Sequence, residues 1–254
     1  MLFAIDIGNT NMVIGGIEGE EICFSERLST DHSKTALEYA LVFKSVLDLH
    51  GISCDRISGA IIASVVPPIT ALMKEALGKI VDCPVRIVGP GLKNGLKICM
   101  DNPAQVGADL IVAAVAGAHD YTCPLILIDM GTATTITVVD KDKNYCGGMI
   151  LPGLRVSLDS LTSRTSQLPR ISLDPPKRLI GKNTNDCMKS GILYGSASML
   201  DGMIDRIEEE IGSTATVIAT GGLASAIVPL CRHEIILDDD LLLRGLLYIY
   251  ERNS

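Results

Sequence analysis

The sequence has no tryptophan, three phenylalanines and six tyrosines, so aromatic residues make up only 4% of it. A core must then be aliphatic. That disfavours a sandwich with aromatic girdles and favours buried parallel strands under helices. Basic charge is short as well, leaving a net −8 at neutral pH. Bulk attraction to nucleic acid or to an anionic membrane is therefore not expected. No apolar run reaches the roughly 18 residues of a membrane span, and residues 1–6 (Met-Leu-Phe-Ala-Ile-Asp) carry no basic segment of the secretory type. Eight cysteines, at 23, 54, 83, 99, 123, 146, 187 and 231, form no C-x-x-C pair. They read as reduced, mostly buried thiols of a cytosolic protein rather than as a zinc or redox motif of that kind.

Familiar catalytic templates are missing too. No G-x-x-x-x-G-K-[ST] occurs: Gly181-Lys182 is followed by Asn183, and position 176 is Pro176. A P-loop is thereby excluded. G-x-S-x-G is absent, and His32, His50, His119 and His233 show no ligand spacing.

What is present is a repeat in a chain of 254 residues that is 47% apolar, enough for a sizeable core. Residues 2–5 form an apolar run into Asp6-Ile7-Gly8-Asn9-Thr10-Asn11, and residues 125–128 do the same into Asp129-Met130-Gly131-Thr132-Ala133-Thr134-Thr135. The two aspartates are 123 residues apart, almost half the chain. Each motif is followed by two further strand-like runs, 12–17 and 22–28 in the first copy, 136–139 and 145–150 in the second. Each half thus opens on a β-meander.

Helical periods follow at residues 35–50, 69–80 and 106–119, with buried strands at 57–66 and 85–88. In the second half 184–211 reads as a long helix interrupted by glycines, and 216–219 as a strand. The order β-β-β-α-β-α, twice, predicts an α/β fold of two ribonuclease-H-like halves, residues 1–118 and 119–254, with mixed sheets flanked by helices and a nucleotide cleft between them. A Rossmann unit would open β-α-β instead.

An acidic chain that binds an anionic nucleotide needs local devices: turn N–H groups, helix N-termini and divalent cations. Gly8 permits a tight turn, Asn9, Thr10 and Asn11 offer neutral hydrogen-bonding groups, and Asp6 at a strand end suits Mg²⁺ held through water. One such turn could be a plain hairpin; its recurrence at Asp129–Thr132 argues for a ligand. Thr135 and Thr137 fit strand-forming roles, whereas Thr132 lies beside the glycine. Thr220-Gly221-Gly222 is either an adenosine contact or a tight β-α turn. Asp109 stands early in an apolar helix. It is either a general base with its pKa raised by desolvation or a first-turn acid stabilised by the helix dipole. Asp238-Asp239-Asp240 reads as a helix N-cap cluster.

Together these stretches resemble those of type III pantothenate kinases, within the actin-like superfamily. The matching segments are residues 6–10, 102–109, 129–135, 147–153, 181–184, 220–222 and 240–246. The resemblance implies ATP-dependent phosphorylation of pantothenate, the first step of coenzyme A synthesis, in a cytoplasmic homodimer using Mg-ATP and a monovalent cation, K⁺ or NH₄⁺. It implies that Asp6, Ile7, Gly8, Asn9, Thr10, Asn11, Met12, Val13 and Thr132 bind ATP, with Gly221 and Gly222 beside it. Asp129 resembles the monovalent-cation ligand and Asp109 the proton acceptor. Met100, Gly107, Ala108, Asp109, Leu110 and Thr184 fall where the family holds pantothenate. Two positions depart from the pattern: Leu110 stands where the family has Arg, and Met100 where it has Tyr. A non-catalytic nucleotide-binding relative and a same-fold kinase for another small alcohol are the alternatives.

Overall fold

The computed structural model describes residues 1–254. Eleven strands and seven α-helices run β1 (Leu2–Ile7), β2 (Asn11–Glu18), β3 (Glu21–Ser29), α1 (Ala36–Leu49), β4 (Gly59–Ser64), α2 (Pro67–Leu77), β5 (Val85–Ile87), β6 (Lys97–Ile98), α3 (Ala108–Asp120), β7 (Leu125–Met130), β8 (Ala133–Val139), β9 (Asn144–Pro152), α4 (Leu154–Ser163), α5 (Thr184–Ile211), β10 (Thr216–Thr220), α6 (Ala224–Ile227), β11 (Ile236–Leu237) and α7 (Leu241–Arg252).

The first sheet has the order β3-β2-β1-β4-β5. Its β1-β2-β3 meander is antiparallel, and β4 and β5 add in parallel beyond β1. The second sheet repeats this as β9-β8-β7-β10-β11, with β6 added in parallel outside β9. Sheets of mixed direction flanked by helices, twice, are the predicted ribonuclease-H-like duplication.

Local chemistry sets the elements. Thr35 accepts from the Glu38 N–H while the Glu38 carboxylate accepts from the Thr35 N–H at 2.7 Å, a capping box that starts α1. Pro67 and Pro68 open α2, where a missing N–H costs nothing. Asn183 caps α5 by accepting from the Asp186 N–H at 2.9 Å. Helix α5 runs unbroken for 28 residues through Gly191, Gly195 and Gly202. Asp240 holds the N-cap position of α7 but makes no side-chain cap bond, and Asp238 instead accepts the Tyr121 hydroxyl at 2.8 Å. The aspartate run is therefore not a capping cluster.

The expected aliphatic core is found beneath the second sheet, where Ile126, Ile128, Leu193, Leu200 and Ile204 pack without an aromatic ring. The first sheet differs: all three phenylalanines gather there, Phe3 lying 5.6 Å from Phe43 and 6.3 Å from Phe24 between ring centroids.

Two compact units result. One comprises residues 1–96, 101–119 and 240–254, the other 97–100 and 120–239. The sequence leads one to expect the linear halves 1–118 and 119–254; residues 97–100 instead join the second unit, and α7, at the end of the chain, joins the first. For α7, glycines are the physical reason. Leu243 of α7 lies against Gly15, the Tyr250 hydroxyl fills the space of a Gly59 Cβ, and Gly245 lies against the Val112 carbonyl of α3. Arg86 on β5 donates to the Tyr250 carbonyl at 2.6 Å. No helix is long and apolar enough to cross a membrane.

Candidate active site

In the first unit the hairpin between β1 and β2 carries the first motif. Asp6 is 9% exposed, while Asn9, Thr10 and Asn11 are exposed at the tip. Gly8 donates its N–H to the Asn11 carbonyl at 3.0 Å. That glycine shapes the turn, as its lack of a Cβ suggests. Ile7 and Met12 are fully buried. Their side chains belong to the core, so only their backbones could meet a nucleotide; Val13 is half-buried. Thr30, which sequence reasoning missed, braces the turn: its Oγ1 donates to the Gly8 carbonyl at 2.7 Å and its N–H to the Thr10 carbonyl at 2.9 Å. Only the β2–β3 register, which pairs Asn11 with Ser29, could have located it.

Asp109 comes to the same end of this sheet. The Val65 N–H just beyond β4 donates to the Ile7 carbonyl at 3.1 Å. A Cβ added at Gly107 would lie 3.6 Å from Val65 Cγ1 and would collide with Asp109 Oδ1. The carboxylate is thus folded back over Gly107, beside the strand end next to the Asp6 turn. Asp109 Oδ1 accepts from the Leu110 N–H at 2.8 Å. Burial raises the Asp109 carboxyl above the usual carboxylate range, although its backbone hydrogen bonds pull the other way. Desolvation outweighs them, which suits a base rather than a plain first-turn acid. Ala108 and Leu110 are half-buried at the start of α3.

In the second unit the hairpin between β7 and β8 carries the second motif, one residue tighter. Asp6 pairs with Val13, whereas Asp129 pairs with Thr135. Gly131 donates to the Ala133 carbonyl at 3.0 Å. Thr132 is exposed; Thr134 and Thr137 are buried, as strand residues should be. β10 places Thr220 beside Asp129. Gly221 follows with φ +95°, and a Cβ on it would meet Asp129 Oδ1 at 2.5 Å and Met130 N at 2.7 Å. The Asp129 carboxylate and the Gly221-Gly222 turn are therefore neighbours at the carboxyl ends of parallel strands, the usual position for ligands in open α/β sheets.

Thr184 is exposed at the first position of α5, over a groove of about 410 Å³ lined by Leu161, Leu168, Met188 and Ile192. Met100 is 39% exposed and lies 3.2 Å, through Sδ, from where a Gly147 Cβ would be.

No cluster of three His, Cys, Asp or Glu side chains forms a metal cage. A single carboxylate at a strand end, Asp6, fits the way Mg²⁺ is held, by one or two carboxylates plus phosphate oxygens and water.

A sequence model of the type III pantothenate kinase family matches residues 2–206, most of the chain. The chain belongs to the type III pantothenate kinase family. A type III pantothenate kinase of Bacillus cytotoxicus is 44% identical over all 254 residues, covering 97% of that relative. Among solved structures, the activator of 2-hydroxyisocaproyl-CoA dehydratase from Clostridium difficile, with bound ADPNP, is similar at a TM-score of 0.59 and 15% identity, over 99% of this chain and 94% of that one. (R)-2-hydroxyglutaryl-CoA dehydratase component A from Acidaminococcus fermentans gives 0.58 and 13%, over 100% and 99%. At those identities the likeness is one of fold, the actin-like ATPase fold.

Proposed function

We propose that this chain transfers the γ-phosphoryl group of ATP to the terminal hydroxyl of pantothenate, with Asp109 as the proton acceptor. Family membership supports the reaction. The observation that carries the residue assignment is the desolvated Asp109 carboxylate at the same sheet end as the Asp6 turn.

Phosphoryl transfer asks little covalent chemistry of a protein; it asks for position and for stabilised charge. Asp109 takes the hydroxyl proton as the alcohol oxygen attacks the γ-phosphorus and ADP leaves. Its raised pKa brings it closer to the alcohol's demand for a base. Asn9, Thr10 and Asn11 at the first turn and Thr132 at the second contact the phosphates through neutral groups. Gly221 and Gly222 leave flat backbone for the adenosine. Asp6 would hold the divalent ion, which would neutralise phosphate charge when bound. Asp129 takes the monovalent cation, adding positive charge to a chain of net −8. Gly107, Ala108 and Leu110 of the first unit, and Met100 and Thr184 of the second, are the residues assigned to pantothenate, in a protein that acts as a homodimer.

The test is ADP release with Mg-ATP, K⁺ and pantothenate, beside Asp109→Asn. Turnover should depend on pantothenate and fall by about 10²–10⁴ in the variant, the usual contribution of a general base. Full activity in folded Asp109→Asn would remove the assigned base.

A further inference from the structure

Cys99 and Cys146 are 47 residues apart in sequence and meet across a sheet edge. β6 pairs in parallel with β9 as Lys97 to Asn144 and Ile98 to Tyr145. The ladder continues past the strand: the Cys99 N–H donates to the Tyr145 carbonyl at 2.8 Å, and Met100 lies over Gly147. That register sets Cys99 beside Cys146, and both are exposed free thiols. None of the eight cysteines is fully buried, contrary to the expectation from sequence; these two are open because they lie at a sheet edge. Cys146 is the residue that β8 leaves unopposed, Val138 pairing with Gly147 and Val139 with Tyr145. A bulge of this kind re-aims a side chain. Neighbouring strands lie about 4.8 Å apart, inside the ~4.4–6.8 Å between Cα atoms that a disulfide spans.

We propose that Cys99 and Cys146 are a reversible redox pair whose disulfide latches residues 97–100 to β9. These four residues are a strap: the chain enters them from the first unit and returns to it at residue 101. Reduced, the strap is held by two ladder pairs and by the Cys99 N–H to Tyr145 carbonyl bond, with Met100 Sδ over Gly147. The oxidant is a peroxide. The Cys99 thiolate attacks one peroxide oxygen; an S–O bond forms, the O–O bond breaks, and hydroxide leaves as water. Cys146 then attacks the sulfenic sulfur, the S–S bond forms, and the second water leaves. Two thiols lose two electrons and the peroxide becomes two waters. Burial and then Asp140 push the Cys146 thiol up, with Cys99 itself adding to the rise, so Cys146 is assigned the resolving step. Cys146 must first turn from the Asn144 carbonyl, a weak S–H contact of 3.5 Å.

Met100, which the proposed function assigns to pantothenate, is itself the last residue of the strap, so latching regulates substrate binding there; this consequence rests on the function proposed above. The experiment treats reduced full-length protein with hydrogen peroxide. A peptide joining Cys99 to Cys146 is expected in wild type, reversed by dithiothreitol and absent from Cys99→Ser and Cys146→Ser. Amide exchange at 98–101 should slow by about tenfold in the oxidised form. The pantothenate-dependent rate should fall at least about threefold and recover on reduction, while the double serine variant keeps its rate in peroxide. Over-oxidised Cys99 with no crosslink, or a crosslink joining other cysteines, overturns the pair. A crosslink that leaves exchange and rate unchanged overturns the latch. Absence of turnover even in reduced protein counts against the kinase reading, and the peptide and exchange data still decide the latch.

Discussion

Asp109 carries a linkage consequence independent of catalysis. Its folded pKa lies above the unfolded value because burial disfavours the charged form. Between those two values the folded state binds more protons than the unfolded one, so stability falls as pH rises through the window. At neutral pH the carboxylate is a local destabilising charge. Asp109→Asn should therefore melt higher than wild type at pH 7, and the difference should shrink as pH falls toward the unfolded carboxylate pKa near 4. Parallel thermal melts from pH 4 to 7 check this; a pH-independent difference would show that the carboxylate is not desolvated. If Asp109 is the base as proposed, the same variant should lose turnover, so stability and activity should move in opposite directions. Gly221 offers the matching test in the second unit. At φ +95° a Cβ is strained by about 1–2 kcal/mol, and here it would also press on Asp129 Oδ1 and the Met130 backbone. Gly221→Ala should lower stability by about 2 kcal/mol and raise the K⁺ concentration needed for half-maximal activity. A variant with unchanged K⁺ dependence would dissociate Asp129 from the cation.

Among the elements, the glycines of α5 and α7 separate what local sequence could say from what it could not. Gly191, Gly195 and Gly202 suggested interruptions, because glycine costs about 1 kcal/mol in a helix. α5 is nevertheless continuous: Leu193, Ala197, Leu200 and Ile204 are buried along one side, and tertiary packing overrides the propensity. A Cβ at Gly191 or Gly195 would meet nothing within 4 Å. Alanine at either site should stabilise the protein by about 0.5–1 kcal/mol, read from urea unfolding. Gly245 in α7 looks equivalent in sequence and is not. Its Cβ would strike the Val112 carbonyl, so Gly245→Ala should destabilise by about 2 kcal/mol. Reversed signs would mean that the α3–α7 crossing is looser than described. Periodicity also missed α4 and the two-residue strands β6 and β11. Short strands have no period to read, and β6 exists only because Asn144 and Tyr145 offer it a partner edge. The paired motifs at Asp6 and Asp129 were legible because the duplication displays each turn twice. The buried side chains of Ile7 and Met12, and the bracing by Thr30, depended on register and were not.

For the whole molecule, the compact units depart from two successive halves at residues 97–100, which join the second unit, and at α7, which joins the first. For α7 the reason is surface shape: Gly15 and Gly59 leave the first sheet a smooth face, and α7 fills it with Leu243 and Tyr250. Nothing local in residues 241–252 signals which sheet they cover. Leu241, Leu243, Leu246, Leu247 and Ile249 are buried on this helix. At about 1.5–3 kcal/mol for each buried aliphatic side chain, their loss would match the whole ~5–15 kcal/mol stability of a domain. Arg86 would lose its acceptor on Tyr250, and Asn253 its bond to the Lys93 carbonyl at 2.8 Å. Deleting residues 241–254 should therefore unfold the first unit, although its sheet lies entirely within residues 2–87. Hydrogen exchange resolves the two units separately. Amides of β1 and β4 should lose protection in the deletion variant, while those of β7 and β8 keep it, since their sheet and α5 are untouched. Retained protection in β1 would show that the first sheet stands without its late helix. Collapse of protection in β7 as well would show that the two units fold as one cooperative body.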